Sequence, residues 1–440
     1  MSDTPRARTA PRKPARPGGQ PARAPGLPAR RAALRLLDAV VRRGLPLEAA
    51  LSAATQGIDR PEDRALAHAI AAEALRRLPD LDALIDSATS RPLPDDAKAR
   101  FVLRIALVQA LALGTPGHAA IATVLPLVDG GPRRLVHGVF GNLIRKGVTL
   151  PQHPALLPEV AFRWSEKWGD DFVTAAEVAI ASPPPLDLTL ADPNETAHWE
   201  QELGGTSLMP GHVRLYDAGP ITSLPGFAEG RWWVQDIAAS LPARLLGAGR
   251  GKALDLCAAP GGKALQLAAA GWDVVALDRS AGRLARVHEN AERMGLSLDI
   301  REGDVLRWEP EAPVPAILLD APCSATGIFR RHPDVLHRVR QRDITEIAEL
   351  QSAMLARAVD WLQPGGTIIY ATCSLEPEEG EQQIEKLLHD RSDLEIVPPR
   401  PDELPVGCVS DTPYLRTGPT MLADKGGLDG FFIARLVRKG

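Results

Sequence analysis

The sequence predicts a multidomain chain: an all-α domain at the N-terminus, a small connecting α+β subdomain, and an α/β domain built on a mostly parallel sheet. Three observations carry this. At 440 residues, 45% hydrophobic and 24% charged, the chain reads as globular and too long for one ordinary core. From Pro28 to Val148 apolar residues recur at helical spacing, with no strand candidate among them. From Gly230 onward short apolar runs alternate with helical stretches, the pattern of a parallel sheet covered by helices.

The elements follow in chain order. Residues 1–31 carry eight Lys/Arg against one acid, Asp3, and seven prolines that oppose a stable helix. They predict a disordered basic arm over residues 1–27, either touching phosphates without sequence preference or serving as a solvated leader. Residues 28–148 form the helical domain. Leu34, Leu37 and Val41 share one stripe that Gly44 ends; Leu66, Ile70 and Ala74 repeat it after Asp59 and Pro61. Phe101 to Leu113 is apolar except for Arg104 and Gln109, as expected of a central buried helix, and Gly114-Thr115-Pro116-Gly117 breaks it. Arg133 to Lys146 reads as the last helix. Prolines at 151, 154 and 158 mark residues 149–158 as a linker.

Residues 159–229 form the α+β subdomain, with a helix over Ala161–Trp168 and strands at Leu186–Leu190 and His212–Leu215. Residues 230–440 form the sheet domain. Its strand candidates are Ala253–Leu256, Val274–Asp278, Asp299–Arg301, Ala316–Asp320, Thr367–Ala371 and a late Phe431–Val437.

Composition narrows the function classes. No run of eighteen apolar residues predicts a membrane span, and no apolar leader predicts secretion, so a cytoplasmic protein is expected. Cys257, Cys323, Cys373 and Cys408 fit neither a disulfide framework nor a CxxC metal site, and no metal is expected. The net charge of −4 hides an asymmetry, because the basic arm leaves the rest of the chain strongly acidic.

Three segments carry chemistry. Asp255-Leu256-Cys257-Ala258-Ala259-Pro260-Gly261-Gly262-Lys263 ends a strand, turns on glycines and opens a helix. Glycines admit a ligand close to the backbone, and the helix start offers free N–H groups. Asp278 closes the next strand, where an acid can accept both ribose hydroxyls of a nucleoside cofactor, and Asp304 follows the third strand near the expected adenine edge. The turn lacks the three-glycine fingerprint of a dinucleotide site, whereas S-adenosylmethionine has no pyrophosphate to cradle. The second segment is Asp320-Ala321-Pro322-Cys323-Ser324-Ala325-Thr326-Gly327, and the third is Tyr370-Ala371-Thr372-Cys373-Ser374-Leu375. Both sit at strand ends, where open parallel sheets bind ligands, so Cys323 and Cys373 are expected to face one crevice. A lone cysteine is more often a buried thiol; two at strand ends after a cofactor turn point to covalent chemistry. A thiolate adding to carbon 6 of cytosine makes carbon 5 nucleophilic, and an acid such as Asp320 can hold the proton on ring nitrogen 3.

The blocks Cys257–Lys263, Asp320–Gly327 and Thr372–Ser374 resemble those of the RNA 5-methylcytosine methyltransferases. So do Val234-Gln235-Asp236, Arg330-Arg331-His332-Pro333-Asp334 and Asp429-Gly430-Phe431-Phe432. The resemblance covers about residues 160–440 and implies a Rossmann-like methyltransferase domain using S-adenosylmethionine. It implies that Cys373 attacks the base, that Cys323 helps release the product, and that Asp320 is a third catalytic residue. It implies cofactor contacts at Cys257, Ala258, Ala259, Pro260, Gly261, Gly262, Lys263, Asp278, Asp304 and Asp320. The helical domain resembles NusB-like RNA-binding domains through Pro116-Gly117-His118-Ala119-Ala120, and departs at Ala122-Thr123 and at His137-Gly138. That fusion is similar to the bacterial 16S ribosomal RNA cytosine-C5 methyltransferases, so 16S ribosomal RNA is the expected partner. The rival readings are a transfer-RNA cytosine methyltransferase and an inactive RNA-binding or antitermination factor.

Other residues have plainer expectations. Cys257 packs within the turn and Cys408 is incidental. Trp232 and Trp233 pack in a core more readily than they stack on a base. Arg330 and Arg331 either contact phosphates or hold structure.

Overall fold

The computed structural model describes residues 26–440, so all but the last two residues of the expected arm lie outside the described part. Seven α-helices between Leu27 and Arg145 pack into one core. The helix Lys98–Leu111 runs through its centre, with every residue from Phe101 to Val108 buried. Its two buried arginines are answered by the helix Leu78–Ser87: Arg104 grips Asp82 through two hydrogen bonds of 2.8 and 2.7 Å, and Arg100 reaches Asp86 at 2.6 Å. The first helix, Leu27–Val41, begins inside the stretch read as tail, with Ala29 buried and Arg30 hydrogen-bonded to Gln109 at 2.7 Å.

Two helices follow, Pro158–Trp168 and Asp170–Ile180, the second not anticipated. Trp164 is fully buried among Phe329, Val335, Leu336 and Leu375 of the sheet domain. Glu376 accepts two hydrogen bonds from Arg163, at 2.8 and 3.1 Å, and one from the Trp164 indole at 3.2 Å. Truncating a buried Trp of this kind costs about 3–5 kcal/mol, so this helix pair is a structural buttress for the loop after Cys373.

The strands are β1 (Leu186–Leu190), β2 (His212–Leu215), β3 (Trp232–Val234), β4 (Lys252–Leu256), β5 (Asp273–Asp278), β6 (Asp299–Glu302), β7 (Val314–Asp320), β8 (Leu362–Thr372), β9 (Leu394–Ile396), β10 (Leu415–Arg416) and β11 (Phe432–Arg438). The first three form an antiparallel sheet in the order β2-β1-β3. Leu188 pairs with Val234 and Leu190 with Trp232, so the expected boundary between residues 229 and 230 cuts this sheet. The boundary moves past Val234 because β3 finds its hydrogen-bonding partner some forty residues upstream.

The large sheet has the order β10-β11-β8-β7-β4-β5-β6, with β9 beside β11. β8, β7, β4, β5 and β6 are parallel and β11 is antiparallel to β8. The chain runs from β4 outward to β6, then returns to the other side of β4 as β7. The carboxyl ends of β4 and β7 therefore flank the crevice where a doubly wound sheet binds its ligand. The helical domain docks close by: Asp334 accepts from Leu47 N at 3.2 Å, and the His337 ring donates to the Leu75 carbonyl at 2.7 Å.

Candidate active site

The turn after β4 is held in an unusual backbone shape. Cys257 has φ 64° and Gly261 has φ 108°. Gly261's positive φ strains any side chain, and a Cβ there would also press on Val287 at 3.1 Å, so glycine suits the turn's seat on the helix Ala281–Met294. That helix is capped by the Ser280 hydroxyl at one end and by left-handed Gly295 at the other. Asp278, buried at the end of β5, accepts from Ala259 N at 3.2 Å and Ser280 N at 3.0 Å, with Arg283 at 3.3 Å. Asp304 is exposed after β6 and accepts from Leu306 N at 3.0 Å.

The turn divides two clefts. One, of about 300 Å³, is lined by Cys257, Ala259, Asp278, Asp304, Asp320, Cys323 and Cys373. The other, of about 340 Å³, is lined by Ala258, Pro260, Gly262, Lys263, Gln235, Asp236 and again Asp320. The turn divides the expected cofactor residues between the two clefts, with Gly261 lining neither, and Asp320 borders both. Lys263 aims its ammonium at Asp320, 2.8 Å away. Burial opposes the Lys263 charge, but Asp320, by attraction and hydrogen bond, and Asp255 outweigh it and hold the ammonium above its usual range.

β7 and β8 lie side by side in parallel register, Asp320 opposite Ala371, so the two cysteine loops leave the sheet together. The sulfurs of Cys323 and Cys373 are 3.3 Å apart. The hydrogen bond with Cys373, and then burial, push the Cys323 thiol well above its usual range. Beneath them, Glu379 accepts from Ser324 N at 2.9 Å, from the Ser374 hydroxyl at 2.7 Å and from Gln351 at 2.9 Å. The Cys323 loop is also pressed on the chain's end. Gly430 N donates to the Gly327 carbonyl at 2.8 Å, and a Cβ on Gly327 would fall 2.0 Å from the Gly430 oxygen.

Arg330 and Arg331 have an internal role. Arg330 bonds Asp429 at 3.0 Å, and Arg331 spans Asp429 at 3.2 Å and Asp236 at 2.7 Å. They clasp three segments around the site. Trp232 and Trp233 are buried, and Trp233 donates to Gln235 at 2.7 Å. Cys408 is buried away from the clefts. Burial, then the nearby carboxylates Asp320, Asp278 and Asp255, push the Cys257 thiol upward, which suits a packed group in the turn. Sequence reasoning missed Glu379 and Gln351. Glu379 sits in an acidic run with Glu376, Glu378 and Glu381 that reads as surface charge. Among the described residues no helix is long and apolar enough to cross a membrane.

Comparison with known proteins agrees with this geometry. A family model described as 16S rRNA methyltransferase RsmB/F matches residues 247–437, and the NusB family model matches residues 27–144. The chain is 36% identical to a ribosomal RNA small subunit methyltransferase B of Xanthomonas campestris, over 83% of this chain and 89% of that one. It is 32% identical to the protein of the same name from Klebsiella pneumoniae, over 92% and 97%. Among solved structures it is similar to a methyltransferase homologue from Pyrococcus horikoshii, with a TM-score of 0.54 and 26% identity, covering 68% of this chain and 98% of that one.

Proposed function

As the chain belongs to the 16S ribosomal RNA methyltransferase family, we propose that it transfers a methyl group from S-adenosylmethionine to carbon 5 of a cytosine in 16S ribosomal RNA. The observation that carries this reading is the meeting of Cys323 and Cys373, 3.3 Å apart, beside the glycine turn. Single-cysteine chemistry would not need that pair.

The residues present fit the cofactor. The buried Asp278 carboxylate at the end of β5 would take the ribose hydroxyls, and Asp304, which lines the same cleft, would meet the adenine edge. When bound, S-adenosylmethionine supplies an electrophilic methyl group. The chain's own groups do the rest. Cys373, as thiolate, adds to carbon 6, and the ring electrons move so that carbon 5 becomes nucleophilic. Asp320 gives a proton to ring nitrogen 3 as carbon 6 is attacked and takes it back when the ring is restored, and Lys263 keeps the Asp320 carboxyl in place through its hydrogen bond. After methyl transfer the carbon-5 proton leaves to a base at Cys323 or positioned by it, and the carbon 6–sulfur bond electrons return to Cys373. Cys323 is the thiol close enough to the adduct to assist.

The division of labour follows the chain. Residues 28–148 hold RNA, residues beyond β3 perform the transfer, and the basic arm of residues 1–27 adds phosphate contacts. The enzyme acts in the cytoplasm with its RNA. The test is transfer of labelled methyl groups to purified small-subunit RNA, with bisulfite mapping of a deletion strain. Loss of one 5-methylcytosine in 16S ribosomal RNA is expected. An intact 16S pattern with a missing transfer-RNA methylation would replace the substrate.

A further inference from the structure

We infer that the RNA strand reaches the reactive cleft along one face of the helix Ala281–Met294, starting from the groove between this helix and the helical domain. The inference rests on the RNA methyltransferase reading and names the surface that holds the substrate. Arg283, Arg286, Asn290 and Arg293 fall at i, i+3, i+7 and i+10, so they form one stripe about 15 Å long. Glu292 lies off it, the exposed Glu289 borders it at i+3 from Arg286, and the buried Leu284, Val287 and Ala291 turn toward the sheet domain.

The stripe touches three hollows in turn. Arg283 lines the cofactor cleft, Arg286 the groove against the helical domain, and Asn290 and Arg293 the cleft that holds Lys263 and Asp320. Its two ends are already engaged. Arg283 bonds the Ala259 carbonyl and Asp278, and Arg293 bonds the carbonyls of Phe227 at 2.8 Å and Trp232 at 3.1 Å. Arg286, between them, is exposed and carries no ion pair among the described residues. Arg64 stands across the groove on the helix Pro61–Arg76, exposed and equally without an ion pair among the described residues.

Two acids line the same groove. Glu48 is occupied by His68 at 2.8 Å, and Asp59 stands in the loop before the Arg64 helix. Two guanidinium groups that line one open groove from the two domains, neither in an ion pair among the described residues, suit a phosphate backbone, because each presents several donors to phosphate oxygens. The described chain also begins beside this groove. Ala29 packs with Ile58, which lines it, and the residues preceding Gly26 include six Lys/Arg. The path runs from there past Asn290 to the Lys263–Asp320 pair, where the target base must arrive. It uses the face of the helical domain formed by residues 48–68.

The experiment compares the full-length protein with the Arg64→Ala/Arg286→Ala double variant, using purified 16S ribosomal RNA as the probe. Affinity is read over a range of salt, together with KM, kcat and cofactor affinity. The salt slope should flatten by about 0.7 for each phosphate that the variant no longer neutralises. KM for RNA should rise several-fold, while kcat at saturating RNA and cofactor affinity hold. Arg286→Lys should keep most of the RNA affinity, since the charge is retained. A double variant with unchanged slope and KM, from a wild type that methylates the same RNA, would overturn the path while leaving the function standing. A wild type that transfers no methyl group to any RNA would overturn the function and this inference together.

Discussion

Ser324 and Ser374, the residues that follow the two cysteines, meet hydroxyl to hydroxyl at 3.1 Å. Both are tied to Glu379, which also receives Gln351. One buried carboxylate thereby fixes the spacing of two loops fifty residues apart in sequence. Glu379→Gln replaces one acceptor oxygen by an amide donor, so the Ser374 hydroxyl must turn round and accept or be left unpaired. Such a group costs about 1–3 kcal/mol. A lower urea midpoint and slower methyl transfer are expected, with cofactor affinity unchanged on calorimetry. Wild-type stability and rate in this variant would show that the bracket is slack.

Lys263 illustrates a role apart from the turn's backbone. Its ammonium is hydrogen-bonded to Asp320 at 2.8 Å, and in the proposed mechanism it serves the base side of the reaction through that carboxyl. Lys263→Met should lower kcat about tenfold or more while cofactor affinity stays within a few-fold. A parallel loss of cofactor binding would return Lys263 to the cofactor.

Asp278 is the cofactor's anchor in this account. Asp278→Ala should lose a charge-assisted hydrogen bond worth about 1.5–3 kcal/mol, or roughly ten- to hundredfold in affinity. The carboxylate also braces Ala259 and Ser280, so Asp278→Asn, which keeps the shape, separates the two effects. Unchanged affinity in the alanine variant would remove Asp278 from the site.

Asp255 on β4 is fully buried, and neither of its carboxylate oxygens has a partner among the described residues. Burial pushes its carboxyl up from 3.8 to about 8; Lys263 opposes the rise and Asp320 and Asp278 add to it. The folded value lies above the unfolded one. Between the two, the folded protein keeps a proton that the unfolded chain has released, so stability falls as pH rises toward about 8 and then levels. Asp255→Asn should remove this slope. The stability gap in favour of the variant should widen from pH 5 to pH 8 in denaturant titrations of the cofactor-free protein. Parallel curves would mean that Asp255 is ionised in the fold.

Much of this was legible in the sequence, because strand ends, turn glycines and cysteines act locally. β4, β5, β7 and the three chemical segments fall where apolar runs and glycines put them. What escaped depends on distant partners. β3 is three residues long, too short to show a period, and its place is decided by pairing with Leu188–Leu190. In sequence Arg330 and Arg331 fit phosphate contact and a structural role equally, and only the fold brings Asp236 and Asp429 to them from both sides. Glu379 hides in an acidic run, and only its burial beneath the cysteine loops gives it a task.

The central claim is that Cys373 is the nucleophile and Cys323 the releasing thiol. The most direct measurement is a denaturing gel of each cysteine variant after incubation with S-adenosylmethionine and 16S ribosomal RNA. Cys323→Ser should still attack and transfer the methyl group, then stall, giving a slowly migrating protein–RNA band. Cys373→Ser should give no band and no methylation, since a hydroxyl is a far weaker nucleophile toward carbon 6. The Cys323→Ser/Cys373→Ser double variant should lose the band. A band trapped by Cys373→Ser and absent from Cys323→Ser would contradict the account and reverse the two roles.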